Sequence, residues 1–393
     1  MQDYYSFLIA RLLVSSSLSM AMQASPDLLF GPHRTKQESL AIASRVDFYN
    51  ALLQLLLRPI WGNAMDSFGR KPVLVLGCLL STLARATTAF NPKSSQAYIF
   101  YRLVNANSLM PVMQASSLLL LDSCGGDRNS AVYLQTSRRL FMMLAVARIT
   151  FTRVAAHLAL TRGYSPGSIM LWAARFTLAS AVLFAFQVRE KPRPGGIRPP
   201  FSISKAWSSS TLFFFQTPKR RLLALMLVLR MLPMACGSVL QSVHKFAFGW
   251  GPNERATMSN ISDFCDLAIP LVVDEILQLP PMLGNQSLIW GSRLSALSLF
   301  NIAFTPFPKT TWLNSIIDRL VSSQPFFDRE LQDEGAMGMV DAAAATLEFP
   351  VSLCMPPVLG KVASRFGDRV PFALLALAHL CLSEGLVSWF EDL

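Results

Sequence analysis

Gly62-Asn63-Ala64-Met65-Asp66-Ser67-Phe68-Gly69-Arg70-Lys71-Pro72 decides how this chain is read. It separates two apolar runs, Ala51 to Trp61 and Val73 to Ala84. A glycine-bearing, cationic turn between apolar runs of this kind is what a short hairpin at a membrane surface needs. Glycine permits the sharp turn and the close approach of two helices. Arg70 and Lys71 predict that the loop stays on the cytoplasmic side, where short connections collect Lys and Arg.

Composition says the same about the rest of the chain. Of 393 residues, 52% are hydrophobic and only 15% are charged, against about one quarter charged in a soluble domain. The mean hydropathy is +0.38. Apolar runs near 20 residues recur along most of the length, which predicts an all-α membrane protein with many spans. The net charge of +11 would point to nucleic acid in a soluble chain. Here the cations sit mainly between the apolar runs, so the positive-inside rule accounts for them and no nucleic-acid partner is expected. Cys78, Cys124, Cys236, Cys265, Cys354 and Cys381 are scattered singly, without metal-ligand spacing. No metal and no cofactor is therefore expected. There is no G-x-x-x-x-G-K-[ST] phosphate loop, and no enzyme chemistry is implied.

The runs predict twelve spans. The first half gives 4–24, 40–61, 72–90, 98–121, 133–160 and 167–188; the second gives 221–243, 257–279, 287–306, 310–327, 337–359 and 370–390. Arg11 within the first run, and the lack of a clear cleavage site, make that run a first span, not a signal peptide. Between the halves, 189–220 is rich in Pro, Ser, Lys and Arg. Pro192, Pro194, Gly195, Gly196, Pro199 and Pro200 forbid a continuing helix. The expected organisation is an N-terminal six-helix bundle (1–188), a basic cytoplasmic linker (189–220) and a C-terminal six-helix bundle (221–393).

The pattern G-x-x-x-D-x-x-G-R-K resembles the loop between helices 2 and 3 of major facilitator superfamily transporters. Gly62, Asp66, Gly69, Arg70 and Lys71 fall at the family's positions, while Ser67 stands where a basic residue is usual. Further landmarks follow in the family's order. Arg102 opens the fourth span in Tyr101-Arg102-Leu103-Val104-Asn105-Ala106-Asn107-Ser108, and Asp122 closes it. Phe248-Gly249-Trp250-Gly251-Pro252 is similar to a short exofacial turn, and Phe366-Gly367-Asp368-Arg369 to the approach to helix 12. The nearest group is the tetracycline-efflux-like drug:proton antiporters, from which this chain is divergent. The fifth span, around Leu140 to Arg148, has no glycine or proline, and the counterpart of the 62–72 loop near 273–285 has no basic residues.

The resemblance implies a fold of two six-helix bundles and a secondary active transporter working by alternating access. Its implied cargo is a small organic solute, with protons as the candidate coupling ion and the lipid bilayer as solvent. It also implies a conformational latch made by Gly62, Asp66, Gly69, Arg70, Lys71 and Asp122. In it Asp66 meets the positive end of helix 11 and Arg70 pairs with Asp122. Arg102, Asp318, Asp341 and Glu348 are the cavity or proton-coupling candidates, because an ionisable residue at membrane depth must pair or line a cavity. Asp47, Asp263 and Asp266 are further carboxylates that could lie at that depth. The rival reading, a membrane scaffold or receptor that kept the fold without transport, is motivated by the two divergent segments.

Overall fold

The computed structural model describes residues 2–124, 130–190, 237–270, 285–305, 313–314, 354–355 and 357–391. Among them there are helices and turns but no strand. The chain divides into two compact units, one of Met1–Thr35 with Leu52–Ser208, the other of Lys36–Ala51 with Ser209–Leu393. The second helix contributes to both.

The first unit contains α1 (Gln2–Leu29), the later part of α2 (Lys36–Ser67), α3 (Arg70–Phe90), α4 (Ser95–Ser123), α5 (Ala131–Thr161) and α6 (Pro166–Phe186). Three starts are set by serine caps. The hydroxyls of Ser94, Ser130 and Ser165 accept the amides of Ala97, Tyr133 and Ser168, each at 3.2 Å, satisfying donors that the first helical turn leaves free. Pro166 follows Ser165 at a position where its missing N–H costs nothing.

Helix α3 shows which solvent surrounds this unit. Leu76, Leu79 and Leu83, spaced along one face, are exposed, at 48%, 43% and 56%. The opposite face buries Ser81, Arg85 and Thr88 beside Val73, Leu74, Gly77 and Cys78. A soluble protein has the reverse arrangement. Apolar outside and polar inside is the pattern for a helix whose outer solvent is lipid. By length and composition Tyr4–Leu29, Arg70–Phe90, Gln135–Thr161 and Pro166–Phe186 can each cross a bilayer.

Inside the unit, α1 packs on α5 and α6, and α3 packs on α4 and α6. Gly77 sets the α3–α4 crossing. A Cβ there would lie 2.8 Å from the Ser108 carbonyl oxygen and would overlap Val112. Ser81 donates to Asn105 across the same seam at 2.7 Å. Between α1 and α6, Ser180 donates to the Ala10 carbonyl at 2.8 Å and Ser6 to Gln187 at 2.9 Å. The apolar core gathers Phe7, Val14, Leu74, Val112, Leu119 and Phe184.

The second unit contains α7 (Gly237–Ser242), which runs into a π-helical turn (Val243–Ala247), then α8 (Pro252–Pro270), α9 (Asn285–Phe304), a helical stretch over 357–366 and α10 (Val370–Glu391). Val243, Leu299, Leu359, Phe372 and Leu375 form its core. The first half of α2 belongs here. Lys36 pairs with Asp368 at 2.5 Å and lies 5.4 Å from the Phe246 ring centroid. A Cβ at Gly360 would come within 2.5 Å of Ser44 Oγ.

The tight connection after α2 is narrower than the motif suggests. α2 continues through Gly62 to Ser67, and Phe68–Gly69 alone makes the turn. Gly62 faces open space, with nothing within 4 Å of a would-be Cβ. It gives neither the sharp turn nor a close contact with the described residues. Asn63, a turn former by type, is kept helical by accepting a hydrogen bond from Ser67 one turn on, at 3.1 Å. The tenth span, apart from helical residues 313–314, and most of the eleventh lie outside the described residues.

Candidate functional site

At one end of the first unit the α2–α3 turn meets the ends of α4 and α6. Alternating helices bring these together, because α2, α4 and α6 all finish at the end where α3 begins. Gly69 precedes α3 with φ 100°, a conformation that L side chains rarely adopt. Space forbids a side chain there as well, since a Cβ would sit 2.7 Å from Glu190 Oε2.

That glutamate is the residue sequence reading missed. Glu190, just past α6, accepts the backbone N–H of Arg70 at 2.9 Å and of Lys71 at 3.3 Å. A carboxylate at the first turn of α3 takes up free amides and complements the positive end of the helix dipole. Its signal was a lone acid in the basic run Arg189-Glu190-Lys191. The dense positive charge of the linker hid it.

Arg70 uses its side chain in the other direction. Its guanidinium forms an ion pair with Asp122 at the end of α4 and donates to the Leu118 carbonyl at 2.9 Å. The Arg70 side chain is 8% exposed and that of Asp122 is 21% exposed. One residue thus ties three helices: its amide to the end of α6 through Glu190, its guanidinium to the end of α4 through Asp122. Lys71 is half-buried beside it. Asp66 ends α2 one turn before Gly69, and its side chain is outside the described residues.

The cavity candidates are not brought to this cluster. Arg102 lies two turns into α4, near the opposite end of that helix, and is half-buried. Asp318, Asp341 and Glu348 fall outside the described residues. Asp47 lies in the part of α2 that belongs to the second unit, and Asp263 lies in α8, both half-buried. The side chain of Asp266, in α8, is outside the described residues.

A shallow cleft between the later part of α2 and α4 is lined by Gln54, Leu57, Trp61, Asn107, Met110, Pro111 and Gln114. The buried Trp61 Nε1–H finds no hydrogen-bond partner among the described residues. Carboxamides, an indole donor and apolar surface together suit a neutral, hydrogen-bonding moiety. The turn after α7 has its own structure. Trp250 is buried and stacks on His244 with ring centroids 4.4 Å apart, and Arg369 lies 5.0 Å from the Phe248 ring centroid.

The chain is similar to the human organic anion transporter MFSD10 (TETRAN), with 14% identity, 98% of each chain covered and a TM-score of 0.69. It is similar to a point mutant of the nucleoside transporter NupG, at 13% identity over 98% of this chain and 99% of that one, with a TM-score of 0.75. It is also similar to a peptide transporter POT in complex with sulfate, at 12% identity over 100% and 94%, with a TM-score of 0.71. No protein-family model and no curated protein sequence matches the chain. What the likeness shows is the fold: an all-helical, multi-pass membrane fold of the major facilitator type, shared with transporters of several small organic solutes.

Proposed function

We propose that the chain is a secondary active transporter of a small organic solute, working by alternating access between two six-helix bundles, 1–188 and 221–393, joined by the cytoplasmic linker 189–220. The observation that carries this is the Arg70–Asp122–Glu190 cluster. A buried guanidinium with a paired carboxylate, set on a helix start capped by a second carboxylate, is a costly arrangement to build for a passive surface turn. It fixes the start of α3 against α4 and α6, so that the 62–72 segment moves with its bundle as one body. In this reading Asp66 supplies the latch charge, meeting the N-terminus of the eleventh span when the cytoplasmic side is closed. Gly62, Gly69, Arg70, Lys71 and Asp122 hold that loop in place. The α2–α4 cleft supplies neutral hydrogen-bonding groups to the solute.

The finer reading is efflux by proton antiport, as in the tetracycline-efflux-like group. Proton coupling needs a carboxylate that is desolvated in one state and hydrated in the other. Asp341 is the first choice, since Gly338, Ala342, Ala343 and Ala344 around it allow close helix approach. Asp318 is second. Arg102 and Glu348 are the further cavity or proton-coupling candidates.

The test is uptake into proteoliposomes under an imposed pH gradient, across a panel of organic cations, anions, nucleosides and peptides. Transport predicts gradient-driven accumulation of at least one class, and loss of accumulation with retained exchange in Asp341→Asn. Binding without flux in either direction would favour the scaffold or receptor reading.

A further inference from the structure

Helix α6 turns one face away from its neighbours. It packs on α1 and α3, and Met170, Ala173, Ala174, Thr177, Ala181 and Phe184 are buried along it. Helix α5 touches it to one side, with Phe151 edge-on to Phe176 at 5.3 Å between ring centroids. The exposed face carries Trp172, Arg175, Ala179, Val182 and Phe186. These are spaced three or four apart, so they form one stripe along the helix. The helix is long and apolar enough to cross a bilayer. Its stripe therefore looks out into lipid, and an arginine stands in it.

The depth of that arginine limits what can meet it. Helix α6 has 21 residues, about 31 Å at 1.5 Å per residue, close to the thickness of the hydrocarbon core. Arg175 lies near its middle, about 14 Å from Pro166 and about 17 Å from Phe186 along the axis. A headgroup phosphate at either end is out of reach unless the bilayer thins. The guanidinium carbon lies 4.9 Å from the Trp172 ring centroid. A ring face attracts a cation but does not neutralise it.

The second unit shows what a cation so placed takes as its partner. Helix α9 carries the same stripe in the same register. Trp290, Arg293, Leu297 and Phe304 stand at the spacing of Trp172, Arg175, Ala179 and Phe186, and each phenylalanine closes its helix. Arg293 also lies over the ring three residues back, 5.7 Å from the Trp290 centroid. A carboxylate from another helix meets it: Arg293 Nη2 donates to Glu384 of α10 at 2.9 Å. Among the described helices none brings a carboxylate to Arg175. A cation exposed to hydrocarbon is costly, and an opposite charge relieves the cost. We propose that the α6 stripe is a docking surface for a transmembrane helix of another membrane protein, one that carries Asp or Glu near its middle and pairs it with Arg175 beside the Trp172 ring. Ala179, one turn beyond Arg175, lets the backbone of that helix come close. The surface is independent of which solute is carried.

Binding of a synthetic membrane peptide to the purified full chain in phosphatidylcholine liposomes tests it. The peptide is a Leu/Ala helix of about 20 residues with Glu or Leu at its centre. Energy transfer between a label on the peptide and one on the protein reads the association. The Glu peptide is expected to bind about 5–30-fold more tightly than the Leu peptide, the range for a polar contact between helices in a bilayer. Arg175→Leu should remove that difference, and an apolar side chain on a lipid-facing position leaves the fold intact. Arg162→Leu, just past α5, should keep it. Equal binding of the two peptides by the wild type, or a Glu preference that survives Arg175→Leu, overturns the proposal. So does an affinity for phosphatidylglycerol, or energy transfer between two labelled copies of the chain, that depends on Arg175 while no Glu preference is seen. Those results would give the face to a lipid headgroup or to a second copy.

Discussion

At the scale of single residues, Arg70 is the joint of the first unit, because its two polar ends bind different partners. Asp122→Asn should leave the guanidinium, 8% exposed, beside a neutral group, at a cost of about 1–3 kcal/mol. Glu190→Gln should cost less, about 0.3–2 kcal/mol, since an amide still accepts a hydrogen bond but no longer opposes the helix dipole. Chemical or thermal unfolding of the purified variants gives both values, and the order Asp122→Asn over Glu190→Gln is the expected outcome. Gly69→Ala should exceed about 1 kcal/mol, because strain at φ 100° adds to overlap with the Glu190 carboxylate. The double variant Gly69→Ala with Glu190→Gly, measured the same way, should recover the overlap part and not the strain. The pairing of Arg70 with Asp122 could be read from the sequence through the family pattern. Glu190 could not, because its partners are backbone amides 119 and 120 residues away and amides leave no mark in a sequence. Arg85 was open to notice, as a cation inside the expected third span, 72–90.

At the scale of elements, hydropathy located all six helices of the first unit, and the mismatches have local causes. The second span was expected to stop at Trp61, since Gly62 and Asn63 are turn-forming types. The helix goes on to Ser67 because Gly62 meets no obstacle and the Asn63 side chain bonds within the helix. The first span was expected to end at Ala24, before Ser25-Pro26, yet α1 reaches Leu29 with Pro26 inside it. One further turn survives there, with the Phe30 amide bonding the Pro26 carbonyl at 2.8 Å and Arg34 donating to the Leu28 carbonyl at 2.7 Å. The packing of α3 on α4 through Gly77 gives a direct prediction. Gly77→Val must push against Val112 and the Ser108 carbonyl. It should destabilise by about 1–3 kcal/mol or more, seen as a lower unfolding midpoint, whereas Gly62→Ala, in open space, should stabilise slightly through helix propensity.

At the scale of the whole molecule, what the sequence conveyed was a solvent and a plan. Low charge and recurrent apolar runs specify lipid, and the inverted face of α3, with Leu76, Leu79 and Leu83 outward and Arg85 inward, is the physical form that specification takes. The division of α2 between two compact units was not legible, because hydropathy reports the length of a helix and not what each half packs against. Orientation is testable in cells. In a background without native cysteines, Ser67→Cys and Ser209→Cys should react with a membrane-permeant thiol reagent and resist an impermeant one added outside, if 62–72 and 189–220 are cytoplasmic. Labelling of either from outside reverses the assignment.

The central claim is alternation between two states governed by the 62–72 segment. It is tested most directly by the distance distribution between spin labels at positions 67 and 285, measured in liposomes with and without a pH gradient. The account predicts two populations, with Asp66→Asn moving weight to the longer distance by a factor of about 2–30, as expected for loss of a helix-end charge worth about 0.3–2 kcal/mol. A single distribution, unchanged by the gradient and by Asp66→Asn, would contradict it.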